Sequence, residues 1–147
     1  MENRPVTTKQ EKRLQLIRVL LADDVPDIRA LLRLAIERDG RFEIVAEAAD
    51  GLEAVTLAGQ WEPDLVVLDL AMPKLDGLQA IPQIRKHIGP DGRIVVLSGF
   101  ESERLGPRAI ETCADAYVEK GARALTELPD FLARVLAAAP KALALTN

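Results

Sequence analysis

Short apolar segments and amphipathic segments alternate along this chain. Five apolar runs of three to six residues, several of them rich in valine and isoleucine, have the length and composition of buried strands. They lie at residues 17–22, 42–46, 65–70, 94–97 and 116–118. Because a strand that is covered on both faces reads as a continuous apolar run, the third and fourth runs predict strands in the interior of a sheet.

Helical periodicity follows several of the predicted strands. After the first strand, apolar residues recur three and four positions apart behind Pro26, which suits the first turn of a helix. Asp50 and Glu53 have the spacing of a capping box at the start of a second helix. The last helix is predicted with Thr126 as its N-cap and Pro129 in its first turn, where the missing N–H would be unpaired in any case.

Alternating strands and helices imply parallel pairing through right-handed crossovers, with helices on both faces of the sheet. We therefore predict an α/β fold with a doubly wound, five-stranded parallel sheet. Ligands of such sheets bind at the carboxyl ends of the strands, near the point where the strand order reverses. Residues that carry chemistry should be sought at that edge.

The length of the chain favours one domain. The chain has 147 residues, which is about the size of a single typical domain. Residues 1–16 are mostly polar and predict a flexible tail, residues 17–139 the domain, and residues 140–147 a C-terminal tail. Since no second folded module fits, a downstream effector is expected in a separate protein.

Charge and cysteine content narrow the class of protein further. The 19 Lys and Arg residues and 23 Asp and Glu residues give a net charge of -4, the wrong sign for direct binding of nucleic acid. The apolar stretches are too short to insert into a membrane, and the chain does not open with a signal peptide. Cys113 is the sole cysteine and cannot form an internal disulfide, so a reducing, cytoplasmic location is expected.

Polar residues stand at the ends of four predicted strands. Asp23 and Asp24 follow the first strand and Asp69 lies at the end of the third. Ser98 follows the fourth strand, and Lys120 comes shortly after the fifth. Because the carboxyl ends of parallel strands meet at one edge of the sheet, these side chains are expected to converge.

Three clustered carboxylates need a compensating positive charge. Two like charges about 4 Å apart repel by roughly 4 kcal/mol at an effective dielectric constant of 20. Mg²⁺, a hard cation that takes a few oxygen ligands and keeps several waters, suits the site better than Zn²⁺ or Ca²⁺. With the metal and Lys120 facing it, the Asp69 carboxylate could attack a phosphoryl group while the developing charge is neutralised.

Each of these residues also has a simpler interpretation when it is taken alone. Paired acids after a strand often cap the following helix, which would account for Asp23 and Asp24. Their joint placement with polar residues at the other strand ends favours a functional site instead. His87 is interpreted as a solvated residue late in the third helix, and Cys113 and Trp61 as packing residues.

The segment at residues 68–77 has a distinctive order, Leu-Asp-Leu-Ala-Met-Pro-Lys-Leu-Asp-Gly. It resembles the phosphoacceptor segment of the receiver domains of two-component response regulators. The resemblance covers residues 17–139, and the acids, the serine and the lysine have spacings close to the family pattern. It implies a flavodoxin-like fold with strand order 2-1-3-4-5.

The resemblance also implies roles for the residues at the strand ends. Asp69 would accept a phosphoryl group from a histidine kinase or a histidine phosphotransfer protein. Mg²⁺ would be held by Asp69, by Asp23 and Asp24, and by the backbone carbonyl of Ala71. Lys120 would contact the phosphoryl group.

Two further residues match the family's switch, and three positions depart from its pattern. By similarity, Ser98 would supply the switch hydroxyl and Tyr117 the switch aromatic ring. Gly121 stands where many members have proline, so a cis Lys-Pro bond cannot orient the preceding lysine. Gly106-Pro107 should shorten or bend a helix between the fourth and fifth strands. Pro82 indicates that the third helix begins near it or kinks.

The expected function is phosphoryl-gated signalling, in which phosphorylation of Asp69 changes the affinity for an effector protein. Catalysis would be limited to the chain's own phosphoryl transfer and autodephosphorylation. One alternative is an aspartyl-phosphate phosphohydrolase, but such enzymes usually place a second acid where this chain has Ala71. Another is a non-phosphorylated interaction module of the same fold, against which the acidic pair, Asp69 and Lys120 argue.

Overall fold

The computed structural model describes residues 16–99, 113–138 and 143–145. These ranges contain six strands and four helices. In chain order they are β1 (Ile17–Ala22), α1 (Pro26–Glu37), β2 (Phe42–Ala48), α2 (Gly51–Trp61), β3 (Leu65–Asp69), α3 (Gly77–Ile88), β4 (Arg93–Ser98), β5 (Ala116–Glu119), α4 (Ala122–Ala137) and β6 (Leu143–Leu145). The predicted helix that would contain Gly106-Pro107 falls outside the described residues.

The strands form one parallel sheet in the order β2-β1-β3-β4-β5-β6. The predicted order 2-1-3-4-5 is therefore confirmed. The structure adds β6, which pairs in parallel with β5 through partners such as Tyr117 and Ala144. Residues 140–147 were expected to be a tail because a three-residue strand is too short to show periodicity, and its pairing depends on a distant strand.

Two hydrophobic layers cover the sheet. On one face, Leu32 and Ile36 of α1 and Phe131 of α4 pack against β1, β3 and β4. On the other face, Ala58 of α2 and Ile81 of α3 belong to the buried cluster. All five residues of β3 are buried, as the continuous apolar run predicts. Asp69 is the last residue of this central strand and so lies at the carboxyl end of the sheet.

The start of α4 differs from the prediction. Thr126 is not its N-cap, because the helix begins at Ala122 after Gly121 and keeps Pro129 in its interior. An interior proline costs about 3 kcal/mol relative to alanine and removes one helical hydrogen bond. Leu125 packs on the hydrophobic cluster and Leu128 is fully buried, so tertiary packing offsets this cost.

The start of α3 lies before its proline. The helix begins at Gly77, so the alternative in which it begins near Pro82 is wrong. Asp76 caps it by accepting a hydrogen bond from the Gln79 N–H at 2.8 Å, and the Gln79 side chain accepts one from the Asp76 N–H at 3.4 Å. This reciprocal cap explains why the helix starts five residues before a residue that disfavours it.

Two residues that the sequence assigned to packing lie at the surface. Trp61, the last residue of α2, is 45% exposed. Cys113 is exposed and has a φ of 83°. His87 is exposed, as predicted. None of the helices within the described ranges combines the length and apolar character needed to cross a membrane.

Candidate functional site

The acidic pair lies in the turn between β1 and α1. Asp23 is fully buried, and its Oδ1 accepts a hydrogen bond from the Val25 N–H at 2.9 Å. Its own N–H donates to the Ala48 carbonyl at 3.0 Å, which fixes the turn to β2. Val25 is the N-cap of α1 and makes no side-chain cap bond. Among the described residues, neither carboxylate accepts a hydrogen bond from the first turn of α1, so the capping interpretation is not supported.

Asp69 ends β3 and is 3% exposed. Its Oδ1 accepts a hydrogen bond from the Ala71 N–H at 3.1 Å. The next residue is also fixed: the Leu70 N–H donates to the Leu97 carbonyl at 3.1 Å, and the Leu70 carbonyl accepts from the Gly77 N–H at 3.0 Å. These bonds hold the start of the loop at residues 70–76 against β4 and α3.

Lys120 pairs with two of the acids. Its Nζ lies 3.2 Å from Asp69 Oδ2 and 3.3 Å from Asp23 Oδ2. Lys120 directly follows β5, and no cis peptide bond occurs in the described parts of the chain. Gly121, the residue after the lysine, has an extended backbone with a φ of 167°. Lys120 thus reaches the two carboxylates without the proline that the family resemblance led us to expect at the next position.

One carboxylate oxygen each from Asp23, Asp24 and Asp69 can be chosen so that all three lie within 4.8 Å of one another. Three carboxylates and the Lys120 ammonium leave two negative charges uncompensated when all are ionised. Carboxylate oxygens are the ligands that hard divalent cations prefer. Asp24 is partly exposed, which leaves one side of the cluster open to water. This donor set fits Mg²⁺.

Burial raises the pKa of the Asp69 carboxyl above its ordinary value, because the ionised form loses solvation. Lys120 and the hydrogen bond from the Ala71 N–H lower the pKa in part, while the negative charge of Asp23 raises it further. The ionised form of Asp69 is thus destabilised by its surroundings. A bound cation would offset that destabilisation directly.

The remaining predicted residues, Ser98 and Tyr117, are on β4 and β5. Ser98 is the last residue of β4 and pairs with Glu119, and its side chain lies outside the described part of the structure. Asp69 pairs with Leu97, so Ser98 is on the strand next to that of Asp69. Tyr117 is half-buried and packs on the hydrophobic cluster shared with α2 and α3.

Sequence reasoning missed the residues that support these groups. The Arg29 Nη1 donates to the Asp23 carbonyl at 2.7 Å, and its Nε pairs with Glu47 Oε1 at 3.0 Å. At Gly77, a β-carbon would lie 2.7 Å from the Asp69 carbonyl oxygen, closer than real β-carbons approach. The glycine was visible in the sequence motif, but the contact that requires it is tertiary. An arginine on an amphipathic helix carries no local signal at all.

Comparison with known proteins gives a consistent result. A family model described as "Response regulator receiver domain" matches residues 19–130. A putative transcriptional regulator of Pseudomonas aeruginosa is 41% identical over 103 residues, which cover 70% of this chain and 49% of that protein. The chemotaxis protein CheY of Listeria monocytogenes is 35% identical over 105 residues, which cover 71% of this chain and 87% of that protein.

A solved structure is similar over most of the fold. The crystal structure of a two-component response regulator of the LuxR family from an Aurantimonas species superposes with a TM-score of 0.78 at 34% sequence identity. The match covers 87% of this chain and 89% of that one. The chain spans about half the length of the first curated relatives that it matches.

Proposed function

Because this chain belongs to the response regulator receiver domain family of two-component systems, we propose that it is a switch whose Asp69 accepts a phosphoryl group beside bound Mg²⁺. One observation carries this proposal: the Lys120 ammonium lies 3.2 Å from Asp69 inside a cluster of three carboxylates. That arrangement combines a nucleophile with the positive charge that phosphoryl transfer requires.

In the proposed reaction, an Asp69 carboxylate oxygen attacks the phosphorus of a phosphohistidine on a partner protein. A P–O bond forms as the P–N bond breaks, and the departing imidazole takes up a proton. Lys120 neutralises part of the charge on the transferred oxygens. Mg²⁺, when bound, would neutralise the rest, held by Asp23, Asp24 and Asp69 and by the Ala71 carbonyl.

The proposed partners are a donor and an effector. The donor is a histidine kinase or a histidine phosphotransfer protein, and the effector is a protein whose affinity changes on phosphorylation. Ser98 would bond a phosphoryl oxygen and Tyr117 would respond to the movement of β4. Ala71 offers no acid or amide to orient a hydrolytic water, which favours a signalling role over that of a phosphohydrolase.

The decisive experiment is intact-mass measurement after incubation with a small-molecule phosphodonor and Mg²⁺. Wild type should gain the mass of one phosphoryl group, and Asp69→Asn should gain none because its amide is not a nucleophile. Asp91→Asn is the matched control, since Asp91 is an exposed aspartate remote from the cluster. Equal labelling of Asp69→Asn and wild type, or a label mapped to a serine, would overturn the proposal.

A further inference from the structure

The loop at residues 70–76, which joins β3 to α3, packs tightly on the first residue of α2. That residue, Gly51, is buried. A β-carbon at Gly51 would overlap the carbonyl oxygen of Leu75 and would lie 2.6 Å from its carbonyl carbon and 2.9 Å from its Cβ. The atoms in conflict are mainly backbone, which cannot swing aside as the end of a long side chain can. Any other residue at this position must therefore displace the loop or the helix.

The helix has little freedom to retreat. Asp50, its N-cap, accepts a hydrogen bond from the Glu53 N–H at 2.8 Å, which holds the first turn. Ala54 and Ala58, one and two turns further on, are fully buried against the sheet. Moving α2 outward would open that packing, so the loop is the part that yields.

The loop leads directly to the proposed metal site. Asp69 precedes it, and Ala71, whose carbonyl is a proposed ligand, is its second residue. At its far end, the Leu75 N–H donates to the Pro73 carbonyl at 2.8 Å, and Lys74 holds a φ of 67°. The loop has seven residues, and the bond from the Gly77 N–H to the Leu70 carbonyl at 3.0 Å joins its two ends, so a shift at Leu75 is transmitted toward Ala71.

We infer that Gly51 is a positioning residue for the Mg²⁺ site. The close approach of its backbone to the Leu75 carbonyl sets where residues 70–76 lie, and so sets the position of the Ala71 carbonyl relative to the three carboxylates. This inference rests on the proposed function, because it assigns the cation to the same cluster. Gly51 does not touch the cation or the phosphoryl group itself.

The test compares Gly51→Ala with Gly59→Ala. Both changes replace a glycine of α2 with alanine, so both raise its helix propensity. A β-carbon at Gly59 meets atoms of the exposed His87 imidazole, the nearest at 3.0 Å, and that side chain can turn away. Titration calorimetry with Mg²⁺ alone should show a dissociation constant about tenfold to a hundredfold higher for Gly51→Ala, as found for residues that support metal ligands. Gly59→Ala should match wild type.

A second readout separates positioning from general damage. The phosphorylation rate of Gly51→Ala should need more Mg²⁺ for half-saturation and should recover at saturating Mg²⁺, whereas a loss of folded protein would lower the rate at every concentration. If Gly51→Ala does not fold, wild type still provides a test. Adding Mg²⁺ should shift the backbone amide signals of Gly51 and Leu75 more than that of Gly59.

The outcomes distinguish the two claims. Equal Mg²⁺ affinity in wild type and both variants, or equal shifts at Gly51, Leu75 and Gly59, would overturn the role of Gly51 and leave the phosphoacceptor proposal standing. A wild-type protein that binds Mg²⁺ with the predicted dependence on Gly51 but takes no phosphoryl group on Asp69 would overturn the proposed function instead. Absence of Mg²⁺ binding by wild type would overturn both.

Discussion

Both ends of the central sheet bury charged side chains, but they balance those charges differently. At the amino end, Asp115 lies just before β5, and its Oδ2 accepts hydrogen bonds from Arg85 Nη2 at 2.6 Å and from the Ile94 N–H at 2.8 Å. Arg85 also donates to three backbone carbonyls. Arg93, at the start of β4, donates to four, one of which, the Gly92 carbonyl, also accepts from Arg85. Asp115, the one buried acid at this end among the described residues, is therefore met by donors.

The charges at the carboxyl end of the sheet are not matched in this way. Asp23 and Asp69 are buried and Asp24 is close to them, while Lys120 pairs with the first two. The negative charge in this cluster exceeds the positive charge, and burial raises the pKa of the Asp69 carboxyl. Charges at the amino end stabilise the fold, whereas the excess of negative charge at the carboxyl end is a cost to stability at the proposed Mg²⁺ site.

The largest effect should follow from removing Asp115 at the amino end of the sheet. Asp115→Ala would leave Arg85 and the Ile94 N–H without their shared acceptor, and should lower the free energy of unfolding by about 3 kcal/mol. Denaturant unfolding measures this. Asp91→Ala, which removes an exposed aspartate at the same end, is the control. If Asp115→Ala lowers the free energy of unfolding no more than the control does, the charged groups at the amino end do not stabilise the fold in this way.

A cation should stabilise the unbalanced end. If Mg²⁺ binds the cluster, a concentration of a hundred times its dissociation constant should add about 2.7 kcal/mol to the stability of wild type. Asp24→Asn should lose most of this gain because it removes a charged ligand, while Asp115→Ala should keep it. Thermal unfolding with Mg²⁺ and with a chelator compares the three proteins. A gain retained in full by Asp24→Asn would contradict the assignment of the cation to this cluster.

Removing the buried negative charge of Asp69 should stabilise the metal-free protein. Because the pKa of Asp69 is raised in the folded state, its contribution to stability is fully present below the ordinary pKa and is lost as the pH rises through the raised value. Asp69→Asn has no such loss and should be more stable at neutral pH, by about 1–2 kcal/mol. The advantage should shrink as the pH is lowered. Melting temperatures measured from neutral to acidic pH decide this, and a variant less stable than wild type at neutral pH would refute it.

The smallest effect is expected at the exposed rim of the same end. The Lys74 side chain is 65% exposed, and its Nζ lies 3.4 Å from Asp50 Oδ2. An ion pair this exposed to water contributes little to the free energy of unfolding. Lys74→Met should therefore leave both the melting temperature and the Mg²⁺ affinity close to those of wild type. An affinity as low as that expected for Gly51→Ala would mean that the ion pair, rather than the backbone contact, fixes the loop.

The sheet and the acidic cluster could be predicted because their signals are local. The apolar run at 65–70 matches β3, which ends at Asp69. Each acid sits next to its own strand, so parallel pairing is enough to bring Asp23, Asp24 and Asp69 together. The capping residue Asp50 was likewise readable from its neighbours.

The features that the sequence did not predict have a different cause in common. The start of α4 ahead of Pro129 depends on packing by Leu125, and the pairing of β6 depends on a strand far away in sequence. The need for glycine at 51 comes from the Leu75 carbonyl, which approaches it from another loop. Such contacts exist once the chain has folded, and no periodicity or capping pattern records them.

The pairing of β6 with β5 changes which strand forms the border of the sheet. A border strand presents unpaired N–H and C=O groups that any extended chain can join, including a strand from another molecule. In this protein, Leu143–Leu145 hydrogen-bonds along β5, the strand that leads into Lys120. An incoming peptide would therefore meet β6 first, and strand addition directly onto β5 would require displacement of the chain's own segment.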